Sequence, residues 1–178
     1  MPRQHHLLAV TSWLLKAGTG FSLFVAALLI IALGAVGVAA MNPELGIPPD
    51  QVLGGVPRTE LLAMATIPIS AGLICFILVA TAFRSTTRIV EAARSGDPFV
   101  NENADRLDRI GWLLLAVTVI GFATQRAIDW IVPGSLQGHV NFVFDVSPIG
   151  LIAILLIFVL ARIFRVGSDM RAELEGTI

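Results

Sequence analysis

"LLAMATIPISAGLICFILVATAF" occupies Leu61–Phe83 and contains no charged residue. A helix needs about 20 such residues to cross roughly 30 Å of hydrocarbon, and a helix meets all its backbone hydrogen bonds internally, so this stretch predicts a membrane span. The whole chain is consistent with that reading. Of 178 residues 56% are apolar and 14% charged, with a mean hydropathy of +0.83. Soluble domains carry about 25% charged residues. The net charge of −1 gives no basic surface for direct nucleic-acid binding.

Three further runs flank this one. Ala17–Met41 is uncharged. A third run starts at Ile110 and stays uncharged to Gln125, with Arg126, Asp129 and Trp130 beyond it. Trp112 and Trp130 lie 18 residues apart. At about 1.5 Å per residue they are separated by roughly 27 Å, the spacing of two interfacial belts. A fourth run, Val146–Ala161, ends at Arg162 and Arg165, whose long side chains can snorkel. The expected fold is an all-α membrane protein, a four-transmembrane-helix bundle with spans near 17–41, 61–83, 110–131 and 147–165. A rival reading takes Lys16 and the run ending "VGVAAM" as a secretory signal, but that run is longer than the usual 7–15 apolar residues.

Orientation follows from the cations. Arg3 and Lys16 precede span one, and Arg84, Arg88, Arg94, Arg106 and Arg109 lie between spans two and three. Arg162, Arg165 and Arg171 follow span four. Four spans put these ten of the twelve positive residues on one side, against Arg58 and Arg126 on the other. The positive-inside rule then predicts both termini in the cytoplasm of a cytoplasmic (inner) membrane.

The loop 84–109 is expected to be a cytoplasmic αα-hairpin. Span two continues through "FRSTTRIVEAARSG" until Gly96, and Asp97-Pro98 forbids further helix. Asn101 reads as the cap of the next helix, with Glu102 and Asp105 in its first turn. Val90 and Ala93 are expected to face Leu107 and Ile110, with opposite charges pairing across the arms or along each helix. Two uses of the charge are open. It solvates the hairpin, or it docks a partner through Arg94, Asp97, Phe99 and Arg106, an aromatic among arginines being common at interface hot spots.

Within the bilayer, small residues allow helices to approach. Gly18, Ser22, Ala26 and Gly34, with Ile30 between, form the expected packing stripe of span one; Ala63, Ala71 and Cys75 do so in span two. Pro68 should bend span two, with Thr66 and Ser70 near the freed backbone groups. Arg126 and Asp129, at i and i+3, are expected to pair locally. The outer loops are rich in Pro and Gly. Val140, Phe142, Phe144 and Val146 alternate with a period of two, and either pair with Gln51–Val56 as a small extracytoplasmic β pairing or lie at the interface. His5 and His6 sit on a short arm expected to be mobile, and His139 is alone, so no metal site is expected. The lone Cys75 has no redox spacing.

"ARSGDPFVNENADRLDRIGW" (Ala93–Trp112) resembles the signature of a bacterial four-span family, domain of unknown function 2975. The shared elements are the small-residue–Gly–x–Pro-Phe break, the polar cap and the Ile-Gly-Trp entry to span three. The tail "VGSDMRAELEGTI" (Val166–Ile178) is similar to that family's ending. Asn101-Glu102 departs from a cap that commonly contains proline. The resemblance implies four spans, and because the family is uncharacterised it transfers no catalytic residues to this chain. Family genes often neighbour a small helix-turn-helix regulator, which implies such a protein as a cytoplasmic partner.

No Ser/His/Asp set, His-Glu-x-x-His or glycine-rich phosphate loop is present. The expected function is therefore non-enzymatic and without cofactor: a membrane-anchored regulatory or interaction protein, docking its partner through the 84–109 hairpin. The alternative is a homo-oligomeric pore or exporter for small molecules or ions.

Overall fold

The computed structural model describes residues 2–42, 57–95, 100–131 and 147–175. They form four helices: α1 (Pro2–Met41), α2 (Arg58–Arg94), α3 (Asn101–Ile131) and α4 (Pro148–Glu175). Each is long and apolar enough to cross a membrane, which makes this a multi-pass membrane protein. No strand occurs among the described residues. The β pairing expected of 51–56 with 140–146, and His139, lie outside them.

The helices overrun the uncharged runs. α1 begins at Pro2, so the amino-terminal arm that carries His5 and His6 is helical. α2 continues to Arg94 and α3 starts at Asn101, as the Asp97-Pro98 break and the polar residues after it predict. The large side chains that face outward are apolar, including Phe21, Phe24 and Ile31 on α1 and Ile149, Leu155 and Leu156 on α4. In water such a surface would aggregate; in lipid it is the proper solvent. α1 is the least enclosed, with 6% of its most apolar stretch buried, and α3 the most, with 28%.

Two compact units share these helices. Unit 1 comprises Met1–Ser22, Leu78–Val117 and Ser147–Ile178; unit 2 comprises Leu23–Ile77 and Thr118–Val146.

In unit 2, Gly72 lets Leu29 of α1 approach α2, 3.5 Å from where a Cβ would stand. The buried positions of α2 are small: Ala71 and Cys75 here, Ala82 and Ser85 further along in unit 1. Pro68 is buried within continuous helix. Near it the Thr66 hydroxyl donates to the Leu62 carbonyl and Ser70 to the Thr66 carbonyl, both at 2.7 Å. These hydroxyls keep polar hydrogens off the lipid beside the missing proline N–H. Arg58 reaches back from α2 and donates to the carbonyls of Ala39 (2.5 Å) and Ala40 (3.3 Å). It thus satisfies carbonyls that the last turn of α1 leaves unpaired. Arg126 and Asp129 form the expected i, i+3 pair at 3.7 Å. The Gln125 amide also donates to Asp129, and the Arg126 guanidinium lies 5.2 Å from the centre of the Phe122 ring.

The α1 stripe departs from expectation at one end. Ser22 and Ala26 are buried and Gly18 lies against Phe83. Gly34, however, is exposed with nothing within 4 Å, and Ile30 is 57% exposed. The reason is helical geometry. Each i+4 step turns about 40° beyond a full revolution, so four steps from Gly18 carry Gly34 to the opposite side.

Candidate functional site

Unit 1 holds the ends of the helices where charge is concentrated. Two seams build it, and both use the same device. A glycine on one helix admits a phenylalanine ring from its neighbour, and an ion pair lies beyond it.

The first seam joins α1 and α2. A Cβ at Gly18 would stand 3.2 Å from the Phe83 ring. Further along, Lys16 Nζ meets Glu91 Oε1 at 3.0 Å. The second seam joins α3 and α4. A Cβ at Gly111 would stand only 2.8 Å from Phe158, whose ring also packs edge-on against Trp112 at 5.5 Å between centroids. Beyond it Arg165 donates to Asp105 at 2.7 Å. The buried Ser168 hydroxyl lies 2.5 Å from Asn101 Oδ1 and 2.8 Å from the Arg165 carbonyl, so its one proton serves two acceptors.

These contacts correct the expected charge pattern of the hairpin. Glu91 pairs with Lys16 of α1, and Asp105 pairs with Arg165 of α4. Neither partner lies on the opposite hairpin arm. A hairpin has two flanks as well as an inner face, and here the flanks meet α1 and α4. Leu107 and Ile110 are buried, and Val90 and Ala93 are half-buried.

The residues suggested as a docking tip divide. Arg94 is exposed on the last turn of α2. Arg106 is half-buried, and its guanidinium donates to Oδ1 of Asn103 at 2.6 Å, a residue with no exposed surface. Asp97 and Phe99, with the turn residues Gly96 and Pro98, lie outside the described residues. Asn101 is the first residue of α3. Its side-chain oxygen accepts from Ser168 and so ties α3 to α4, a role that local sequence did not signal.

Two pockets went unnoticed in the sequence. One, of about 530 Å³, is lined among the described residues by α4 alone, including Arg162, Val166, Met170 and Arg171. The other, of about 340 Å³, lies at the first seam and is lined by Lys16, Thr19, Arg84, Thr87, Arg88 and Glu91. The spacing of Arg84, Arg88 and Glu91 at i, i+4 and i+7 marks one face of α2 and was legible; that α1 supplies the other wall was not.

Compared with known proteins, residues 55–178 match the model of a family described as a protein of unknown function, DUF2975. The match takes in α2, α3 and α4, including the whole second seam. No curated protein and no solved structure matches the chain.

Proposed function

The chain belongs to the DUF2975 family, and from that premise we propose that it is a non-enzymatic, membrane-anchored interaction protein whose α2–α3 hairpin docks a cytoplasmic partner. The observation that carries this reading is the overrun of the helices. Residues 84–94 of α2 extend past the uncharged run by about 16 Å at 1.5 Å per residue, and 101–109 of α3 return toward it. A connection made only to link two spans does not need this length. Arg94 and Arg109 are exposed on these arms with no ion pair among the described residues, although acids stand nearby in sequence. Exposed guanidiniums on such helical arms suit an acidic or mixed protein surface.

The positive-inside rule puts this projection and both termini in the cytoplasm, because ten of twelve cations lie in the three segments it would hold there. The partner is a small helix-turn-helix regulator, as the family resemblance implies. Arg94 with Asp97, Phe99 and Arg106 forms the contact.

The test is a detergent pull-down with the doubly substituted Phe99→Ala/Arg94→Ala protein. Membrane accumulation and thermal midpoint should stay near those of the unmutated chain. Recovery of the partner should fall about thirtyfold, the effect of losing a hot spot of ~2 kcal/mol. Failure of the double variant to accumulate would mean that Phe99 packs within the protein. Crosslinks from position 94 that reach only other copies of the chain would favour the oligomeric pore instead.

A further inference from the structure

We propose that the pocket between α1 and α2 is a binding site for a phosphate group at the membrane surface, with Lys16, Arg84 and Arg88 as its cationic walls. The inference needs the bilayer and not the docking partner.

Depth is the first argument. Lys16 immediately precedes the uncharged run of α1, and Arg84 immediately follows that of α2. The pocket therefore sits where hydrocarbon gives way to headgroups. Just inside that level the Phe83 ring fills the space left by Gly18, which closes the seam on the apolar side.

Charge is the second. The lining carries three cations and one carboxylate, a net of +2. Lys16 is paired with Glu91, but among the described residues neither Arg84 nor Arg88 has an ion-pair partner. Two guanidiniums one helical turn apart, opposite an ammonium, match an anion with several oxygens, since arginine binds phosphate through two parallel N–H donors. Basic pockets between membrane helices take anionic headgroups for the same reason.

Chemistry of the lining narrows the ligand. The Thr19 hydroxyl donates to the Leu15 carbonyl and that of Thr87 to the Phe83 carbonyl, both at 2.9 Å. Their protons are committed, so recognition falls on the three cations and reads charge more than headgroup shape. The volume of about 340 Å³ falls in the usual range for small-ligand pockets, about 300–1,000 Å³.

Native mass spectrometry of the full chain in detergent, titrated with phosphatidylglycerol or phosphatidylcholine, tests this. The unmutated protein should retain phosphatidylglycerol in preference. Arg84→Gln/Arg88→Gln should weaken that binding by about tenfold to thirtyfold, whereas Arg94→Gln/Arg109→Gln, which removes equal charge elsewhere, should change it little. Glu91→Gln removes the competing carboxylate and should strengthen binding by roughly twofold to fivefold, which keeps the test decisive even if the double variant misfolds. Equal loss in the two double variants, no gain with Glu91→Gln, or no preference for phosphatidylglycerol each overturns the proposal. Millimolar inorganic phosphate separates the two sources. Displacement of the lipid assigns the site to free phosphate, and retention assigns it to the headgroup.

Discussion

The α1/α2 and α3/α4 seams of unit 1 share a plan and differ in tightness. At the first, Phe83 stands 3.2 Å from a Cβ built on Gly18 and an ion pair follows, as exposed as the pair at the second seam. At the second, Phe158 stands 2.8 Å from a Cβ built on Gly111, is held edge-on by Trp112, and is followed by both an ion pair and a buried hydroxyl contact. The Phe158 ring meets α3 at both Gly111 and Trp112, so the second seam is the tighter one. The first can yield, which suits a wall of the phosphate pocket.

Alanine at the two glycines should separate the seams most widely. Gly111→Ala forces the Phe158 ring from its place on α3 and should cost about 1–3 kcal/mol, the usual range for overpacking. Gly18→Ala needs Phe83 to move only a few tenths of an ångström and should cost well under half as much. Thermal unfolding in detergent reads both. Equal costs would mean that the seams are equally stiff.

A smaller contrast comes from the polar contacts. Ser168→Ala leaves Asn101 without its buried partner and should cost about 1 kcal/mol at any ionic strength. Lys16→Gln removes a pair whose side chains are 63% and 49% exposed, so it should cost less than about 1 kcal/mol, and 1 M salt should erase the difference. A salt-sensitive Ser168→Ala effect would count against the buried contact. The smallest effect should fall on Gly34→Ala. It meets nothing within 4 Å, so the change should lie within about 0.5 kcal/mol of neutral, or slightly stabilise through better helix propensity. A clear loss of stability, or a change in oligomeric mass, would show that Gly34 is covered by a second copy.

The spans were legible in the sequence because hydrophobic length is a local property. The helix ends at Arg94 and Asn101 were legible for a similar reason, since Asp97-Pro98 and the polar residues after it act on their own neighbours. Partnership between helices was not. Glu91 has Arg88 and Arg94 at i−3 and i+3, yet it bonds Lys16, seventy-five positions away. Nothing in a single chain ranks those choices, because the ranking depends on which helix lies on which flank. The expected α1 stripe went astray at Gly34 for a different reason, because a strict four-residue repeat does not stay on one side of a helix.

The Arg58 contact fastens α2 to the end of α1. Unit 2 contains two positive residues, Arg58 and Arg126. One is seated on the carbonyl end of α1 and the other is matched by Asp129 one turn away. Arg58 can take this seat only where α1 and α2 stand side by side, so it joins the two helices at the end where α1 stops.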